Sequence, residues 1–185
     1  MIKSVGPCTL RINSDRFGTL VRSIVSQQIS TKAAAAISAR LQQSLAATGV
    51  TAAGVLAATD GVLRAAGLSA SKVRSLRDLA ENVHGGKVPL KTIHRLPDEE
   101  VIESLLPVRG IGRWTAEMFL IFSLGRLDVL PVDDWGFRAA VQREYALPEP
   151  PAKAKLIDLA EPWRPYRTIA TWYFWRSLGA VPQSR

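Results

Sequence analysis

The sequence predicts an all-α protein, on three observations. Apolar residues recur at steps of three and four through most of its 185 residues. Residues that start and stop helices bracket these runs, such as Ser30 before one and Gly85–Gly86 after another. No segment shows period-two alternation bounded by hairpin turns. The length suits one compact domain or two small lobes with a shared core.

The elements follow in order. In "FGTLVRSIVSQQI" (17–29), Phe17, Leu20, Val21, Ile24, Val25 and Gln28 fall on one helical stripe. Ser30 then serves as N-cap of "TKAAAAISARLQQSL", whose alanines favour helix. "TAAGVLAATDGVLRAAG" (51–67) reads as two short helices broken at Thr59–Asp60–Gly61, and "SASKVRSLRDLAENV" (69–83) as another. "PDEEVIESLLPV" (97–108) opens on acidic residues, which suit the positive end of a helix dipole. "RWTAEMFLIFSLG" (113–125) is apolar enough to predict a buried central helix. A helix over about 134–145, a proline-rich connector and an aromatic C-terminal segment complete the chain.

Composition narrows the function. About half the residues are apolar, as in a globular chain, and no apolar run has the length of a membrane span or a secretory signal. Cytoplasm, at the nucleoid, is the expected location. One cysteine, Cys8, leaves no intrachain disulfide and no four-cysteine iron–sulfur site. His84 and His94 stand without a partner at metal-ligand spacing. A formal charge of +8 points to a polyanionic partner, nucleic acid first.

The most informative stretch is "LLPVRGIGRWTAEMF" (105–119). Gly110 and Gly112 bracket Ile111 between two predicted helices, where they permit a tight reversal and leave backbone N–H groups bare. Such a turn can hold a phosphate, or it can be a plain connection between helices with Ile111 packed inward. It is no mononucleotide loop, because the lysine-containing glycine motif is absent. Further on, "LPVDDWGFRAA" (130–140) sets Asp133 and Asp134 side by side at a predicted helix start. Helical phase does not choose between them, and either could cap the helix.

"VRGIGRWTA" resembles the hairpin of helix-hairpin-helix (HhH-GPD) DNA glycosylases. The likeness continues in "LVRSIVSQQIS", "GLSASKVRSLRDLA" and "WRPYRTIATWYFW" and covers nearly the whole chain. Together these segments resemble the 3-methyladenine DNA glycosylase II branch, here without that branch's N-terminal β-rich domain. The resemblance implies a two-lobed helical fold. One lobe spans 16–126 and ends in the hairpin; the other joins 1–15 to 127–185; a flipped base enters a cleft between them.

The resemblance also assigns roles. The family's essential aspartate follows the hairpin by about twenty residues, in a pattern of proline, two residues, aspartate, bulky residue, glycine. "PVDDWG" fits with Asp134, twenty residues after Trp114, and leaves Asp133 as its solvated or capping neighbour. Relatives that also cut the backbone carry a lysine where this chain has Trp114, so a monofunctional enzyme without lyase activity is expected. Trp114, Trp135 and Trp175 are expected around the base pocket. Met118 stands there where one relative has a stacking tyrosine, which alters the pocket. Trp163 and Trp172 are expected to pack in the core. Gln28 is expected to fill the gap left by a flipped nucleotide. The N–H groups of Gly110, Gly112 and Thr115, with Arg113, are expected to hold phosphate.

No organic cofactor and no iron–sulfur cluster are expected. A structural K⁺ or Na⁺ on the main-chain carbonyls of Leu106, Val108 and Ile111 is implied by the resemblance alone. The expected partner is double-stranded DNA containing damaged bases, bound by a monomer with no membrane involved. The expected activity is excision of alkylated bases. A glycosylase for other lesions (uracil, ethenoadenine, hypoxanthine) and a non-catalytic DNA-binding module stay open at this point.

Overall fold

A computed structural model of the chain describes residues 1–179. The end of the expected second lobe, 180–185, lies outside the described residues. Among them all regular structure is helical and there is no strand. The helices are α1 (Ile2–Val5), α2 (Arg16–Ser26), α3 (Thr31–Ser44), α4 (Ala52–Ala57), α5 (Asp60–Ala65) and α6 (Ala70–His84). They continue with α7 (Asp98–Leu105), α8 (Arg113–Phe119), α9 (Trp135–Glu144), α10 (Lys153–Ala160) and α11 (Arg167–Ser177). The chain forms two compact units: Ser14–Ala116, and Met1–Asn13 together with the chain from Glu117 onward.

The unit Ser14–Ala116 is assembled from short, individually capped helices. Side chains of Asp15, Ser30, Thr51, Thr59 and Ser69 each accept an N–H from the first turn of α2 to α6, at 2.9–3.4 Å. Each such cap is worth about 1 kcal/mol. The expected break at Thr59–Asp60–Gly61 narrows to Ala58–Thr59, because the Thr59 hydroxyl caps a helix that already includes Asp60. Arg77 of α6 satisfies the end of α4, donating to the carbonyls of Val55, Leu56 and Ala58 and to the Asp60 carboxylate. Leu20, Ile24, Leu63, Leu76, Leu79, Ile93 and Leu105 fill the core beneath.

The apolar run 113–125, which belongs to the other unit from Glu117 onward, departs from the expected single helix. After Phe119 the backbone widens into a π-type turn, Leu120–Leu124, that ends at Gly125. Gly125 has φ +68°, and a Cβ there would collide with the side chain of Ile12. The N-terminal stretch is tied in by Asn13 N–H to the Phe122 carbonyl (2.8 Å) and by the Tyr173 hydroxyl to the Gly6 carbonyl (3.0 Å). Phe137, Trp163 and Phe174 form an aromatic cluster between α9, α11 and the turn after α10. Trp172 is buried and Trp163 half-buried.

Asp128 anchors the start of α11. Its carboxylate takes a two-pronged bond from Arg167 (2.7 and 2.8 Å) and a third from Arg164 (2.9 Å). The Arg167 guanidinium, with Arg164 beside it, holds the Asp128 carboxyl below the usual carboxylate range. A carboxyl depressed in the folded state stabilises above its unfolded pKa and loses that contribution as pH falls through the folded value. Asp128→Asn is therefore expected to lower the melting temperature at pH 7. The gap from wild type should close as the pH drops below about 4. Melting curves between pH 7 and pH 3 test this, and a gap that does not narrow at all as the pH falls below about 4 rejects it.

Candidate functional site

Asp134 sits at the entrance to α9, where the chain leaves the bend at Pro131. Its Oδ1 accepts the Phe137 N–H at 2.6 Å, the cap that starts the helix. The same oxygen accepts the indole N–H of Trp175 at 3.1 Å. The residue is 7% exposed. Two donors from different helices thus hold one buried carboxylate. A carboxylate so held can face a developing positive charge without first reorganising.

Asp133 takes a different course. It points to solvent and pairs with Lys153 of α10, Oδ1 to Nζ at 2.5 Å. One helix start therefore separates two neighbours that helical phase could not: one buried and capping, the other exposed and ion-paired.

The four aromatic and thioether positions expected at a base pocket have distinct settings. Trp175 is 1% exposed, and its ring stacks on Phe122 of the π-type turn (centroids 6.0 Å apart, planes 19°). Met118 is fully buried. Trp135, next to Asp134, is 66% exposed, with the Arg138 guanidinium 5.9 Å over its ring. Trp114 belongs to the other unit and is 36% exposed. Phe122, which holds the face of Trp175, escaped sequence reasoning because nothing distinguishes it from its apolar neighbours.

The hairpin lies wholly in the unit Ser14–Ala116. Backbone bonds Val108 N–H to the Leu105 carbonyl and Ile111 N–H to the Val108 carbonyl, both 3.0 Å, close the turn, and Ile111 is buried under it. Gly110 has φ +81°, and a Cβ there would stand 2.9 Å from Ser75 Oγ. The Gly112 carbonyl accepts Ala116 N–H at 3.1 Å, so Gly112 opens α8. Thr115 is buried in the first turn of that helix. Arg113 is exposed and pairs with Glu99 of α7, whose carboxyl the guanidinium holds below its ordinary range.

Gln28 lies beyond α2, which stops at Ser26, and so leaves the stripe expected of it. It is exposed and left-handed, φ +57°, a conformation costly for a residue with a Cβ. Its neighbour Gln27 reaches the hairpin: Nε2 donates to the Gly110 carbonyl at 2.7 Å. No local signal in the sequence marks that contact.

Among the described residues no group of three or more His, Cys, Asp or Glu could hold a metal. Main-chain oxygens are another matter. The Val108 carbonyl accepts one N–H and keeps a second lone pair, so the donor chemistry of Leu106, Val108 and Ile111 fits a hard monovalent cation.

A buried, doubly held carboxylate after a glycine hairpin is the arrangement expected of base-excision enzymes. The family model described as HhH-GPD superfamily base excision DNA repair protein matches residues 21–165. The chain belongs to this superfamily. Among HhH-GPD proteins, it is 38% identical to DNA-3-methyladenine glycosylase 1 of Schizosaccharomyces pombe, over 96% of this chain and 80% of the relative. The crystal structure of a Bacillus halodurans DNA-3-methyladenine glycosidase superposes with a TM-score of 0.87 at 38% identity, over 96% of this chain and 82% of that one. The 3-methyladenine DNA glycosylase of S. pombe in complex with abasic DNA matches at TM-score 0.81 and 36% identity, over 98% and 89%. The two-glycine turn and the helix that Asp134 starts both lie inside the matched HhH-GPD region.

Proposed function

We propose that the chain is a monofunctional DNA glycosylase that excises alkylated bases, of the 3-methyladenine and 7-methylguanine class, in base excision repair. The observation that carries this reading is the Asp134 carboxylate, buried and held by Phe137 N–H and Trp175 Nε1, in a chain of the HhH-GPD superfamily. The reaction breaks the C1′–N bond of a nucleotide swung out of the stack. The bonding pair leaves with the base, C1′ turns oxocarbenium-like, and a water oxygen takes the vacated position. Asp134 stabilises that charge and orients the water, accepting its proton.

Other residues divide the remaining work. Alkylation at a ring nitrogen gives the base a positive charge, which an indole face attracts by about 0.5–2 kcal/mol when desolvated. Of the residues assigned to the base pocket, Trp114 and Trp135 expose indole faces, while Trp175 and Met118 are buried. Gln28 fills the vacated stack. The amides of Gly110, Gly112 and Thr115 hold phosphate, and Arg113 adds its charge by exchanging Glu99 for the backbone. A K⁺ or Na⁺ on the Leu106, Val108 and Ile111 carbonyls would lend the hairpin further positive charge. Trp114 has no amine to form a Schiff base, so the strand stays intact. On this reading the protein works as a monomer on nucleoid DNA in the cytoplasm.

A panel of duplexes, each with one lesion, tests the proposal: 3-methyladenine, 7-methylguanine, ethenoadenine, hypoxanthine and uracil, assayed at excess enzyme with and without borohydride. Release of the two methylated bases, an uncut abasic strand and no trapped adduct are expected. A trapped adduct rejects the monofunctional assignment. Release of no base at all leaves the hairpin as a non-catalytic DNA-binding element.

A further inference from the structure

Helix α6 carries a polar stripe that the proposed chemistry leaves unused. Lys72, Ser75 and Asp78 stand three residues apart, so they share one side of the helix over about 9 Å. Each meets a different partner. Lys72 Nζ donates to the Val25 carbonyl at 2.6 Å, in the last turn of α2, just ahead of Gln27 and Gln28. Ser75 is buried against Gly110, leaving no room for a side chain there. Asp78 Oδ2 accepts the Arg109 N–H of the hairpin at 2.6 Å. Gln27 completes the circuit with its 2.7 Å bond to the Gly110 carbonyl.

A connection between helices needs none of this. The backbone bonds of Val108 and Ile111 already close the turn. The added contacts grip the Arg109–Gly110 segment from two sides, its N–H by α6 and its carbonyl by the chain leaving α2. A charged acceptor makes the first of these the stronger kind of bond. The same stripe, through Lys72, holds the end of α2 that aims Gln28.

We propose that Lys72, Ser75, Asp78 and Gln27 are positioning residues that lock the turn carrying Gln28 to the hairpin carrying Gly110 and Gly112, so that the stack-filling side chain and the phosphate-binding backbone meet duplex DNA as one preassembled body. The proposal rests on the glycosylase reading above for the roles of Gln28 and the hairpin. Its physical consequence is that neither segment has to be ordered at the moment of binding.

The test compares Asp78→Ala, Asp78→Asn, Gln27→Ala and the double variant Gln27→Ala/Asp78→Ala, after melting curves establish that each is folded. Hydrogen exchange in the free protein reads the hairpin amides. Titration with a duplex holding a tetrahydrofuran abasic site reads affinity. Asp78→Ala and Gln27→Ala should each speed exchange at Arg109 and Ile111 and weaken binding about 5–30-fold. Asp78→Asn keeps an oxygen that accepts the Arg109 N–H, so it should bind within about threefold of wild type. The double variant should lose less than the product of the singles, since both side chains grip one segment. Excision at saturating enzyme should fall less than affinity does. Wild-type exchange and wild-type affinity in both alanine variants would overturn the proposal, as would strictly multiplicative losses in the double variant. Exchange and abasic-site binding need no excision, so a wild type that releases no base, with these effects intact, would sink the glycosylase reading and leave the lock standing.

Discussion

Asp134→Asn is expected to give a folded protein that excises alkylated bases at least 10²–10³-fold more slowly. The two halves of that expectation have separate origins. Asparagine caps helices as well as aspartate does, and its side-chain oxygen can still accept Phe137 N–H and Trp175 Nε1–H. Stability should therefore change by no more than about 1 kcal/mol, the part that the charge itself adds at the helix N-terminus. What disappears is the negative charge that the oxocarbenium-like sugar needs. Single-turnover release from a 7-methylguanine duplex, read beside a melting curve, separates the two. Asp133→Asn is the matched control: it breaks only the solvent-exposed pair with Lys153 and should keep most activity. Excision by Asp134→Asn near the wild-type rate would refute the assignment of the carboxylate.

Trp175→Phe should produce the second largest loss. Phenylalanine keeps a ring against Phe122 but removes the indole N–H and part of the buried volume. The smaller side chain leaves a void worth about 1–3 kcal/mol of stability. The lost N–H frees Asp134 from one of its two described anchors, and a carboxylate displaced by a fraction of an ångström should slow excision about tenfold or more. A double-mutant cycle decides whether the two residues act together. In the Asp134→Asn background Trp175→Phe should have little further effect on the residual rate. An equal fractional loss in both backgrounds would mean that Trp175 acts on the reaction by some other route.

Both residues illustrate what the amino-acid order reveals and what it hides. Helix starts are local events, so Ser30 is recognisable as a cap from its neighbours, and the acidic first turn of α7 likewise. The all-helical class follows from the same short-range periodicity. The π-type turn after Phe119 is hidden because a continuous apolar run looks the same whether the backbone bonds four or five residues back. The end of α2 is hidden for a related reason. Gln28 satisfies the helical stripe by spacing, yet α2 ends at Ser26, where the chain is held by tertiary contacts of Lys72 and Gln27. Lys153 and Trp175 help set Asp133 and Asp134 apart, and Trp175 lies 41 residues from the carboxylate it meets. The Gln27–Gly110 bond spans 83 residues. Periodicity carries no information at such separations.

Gly112 invites one last consideration. Its neighbour Gly110 has no alternative, being left-handed and pressed against Ser75. At Gly112 a Cβ would meet nothing within 4 Å, and the backbone is not in the left-handed region. Alanine would fit, and by narrowing the conformations of the unfolded chain it would add about 0.4–1 kcal/mol of stability. On the proposed reading the chain forgoes that stability at 112 to keep backbone bare for phosphate, which folding itself does not require. A selection for thermal robustness alone would drift toward alanine there, and a selection that includes DNA would hold the glycine.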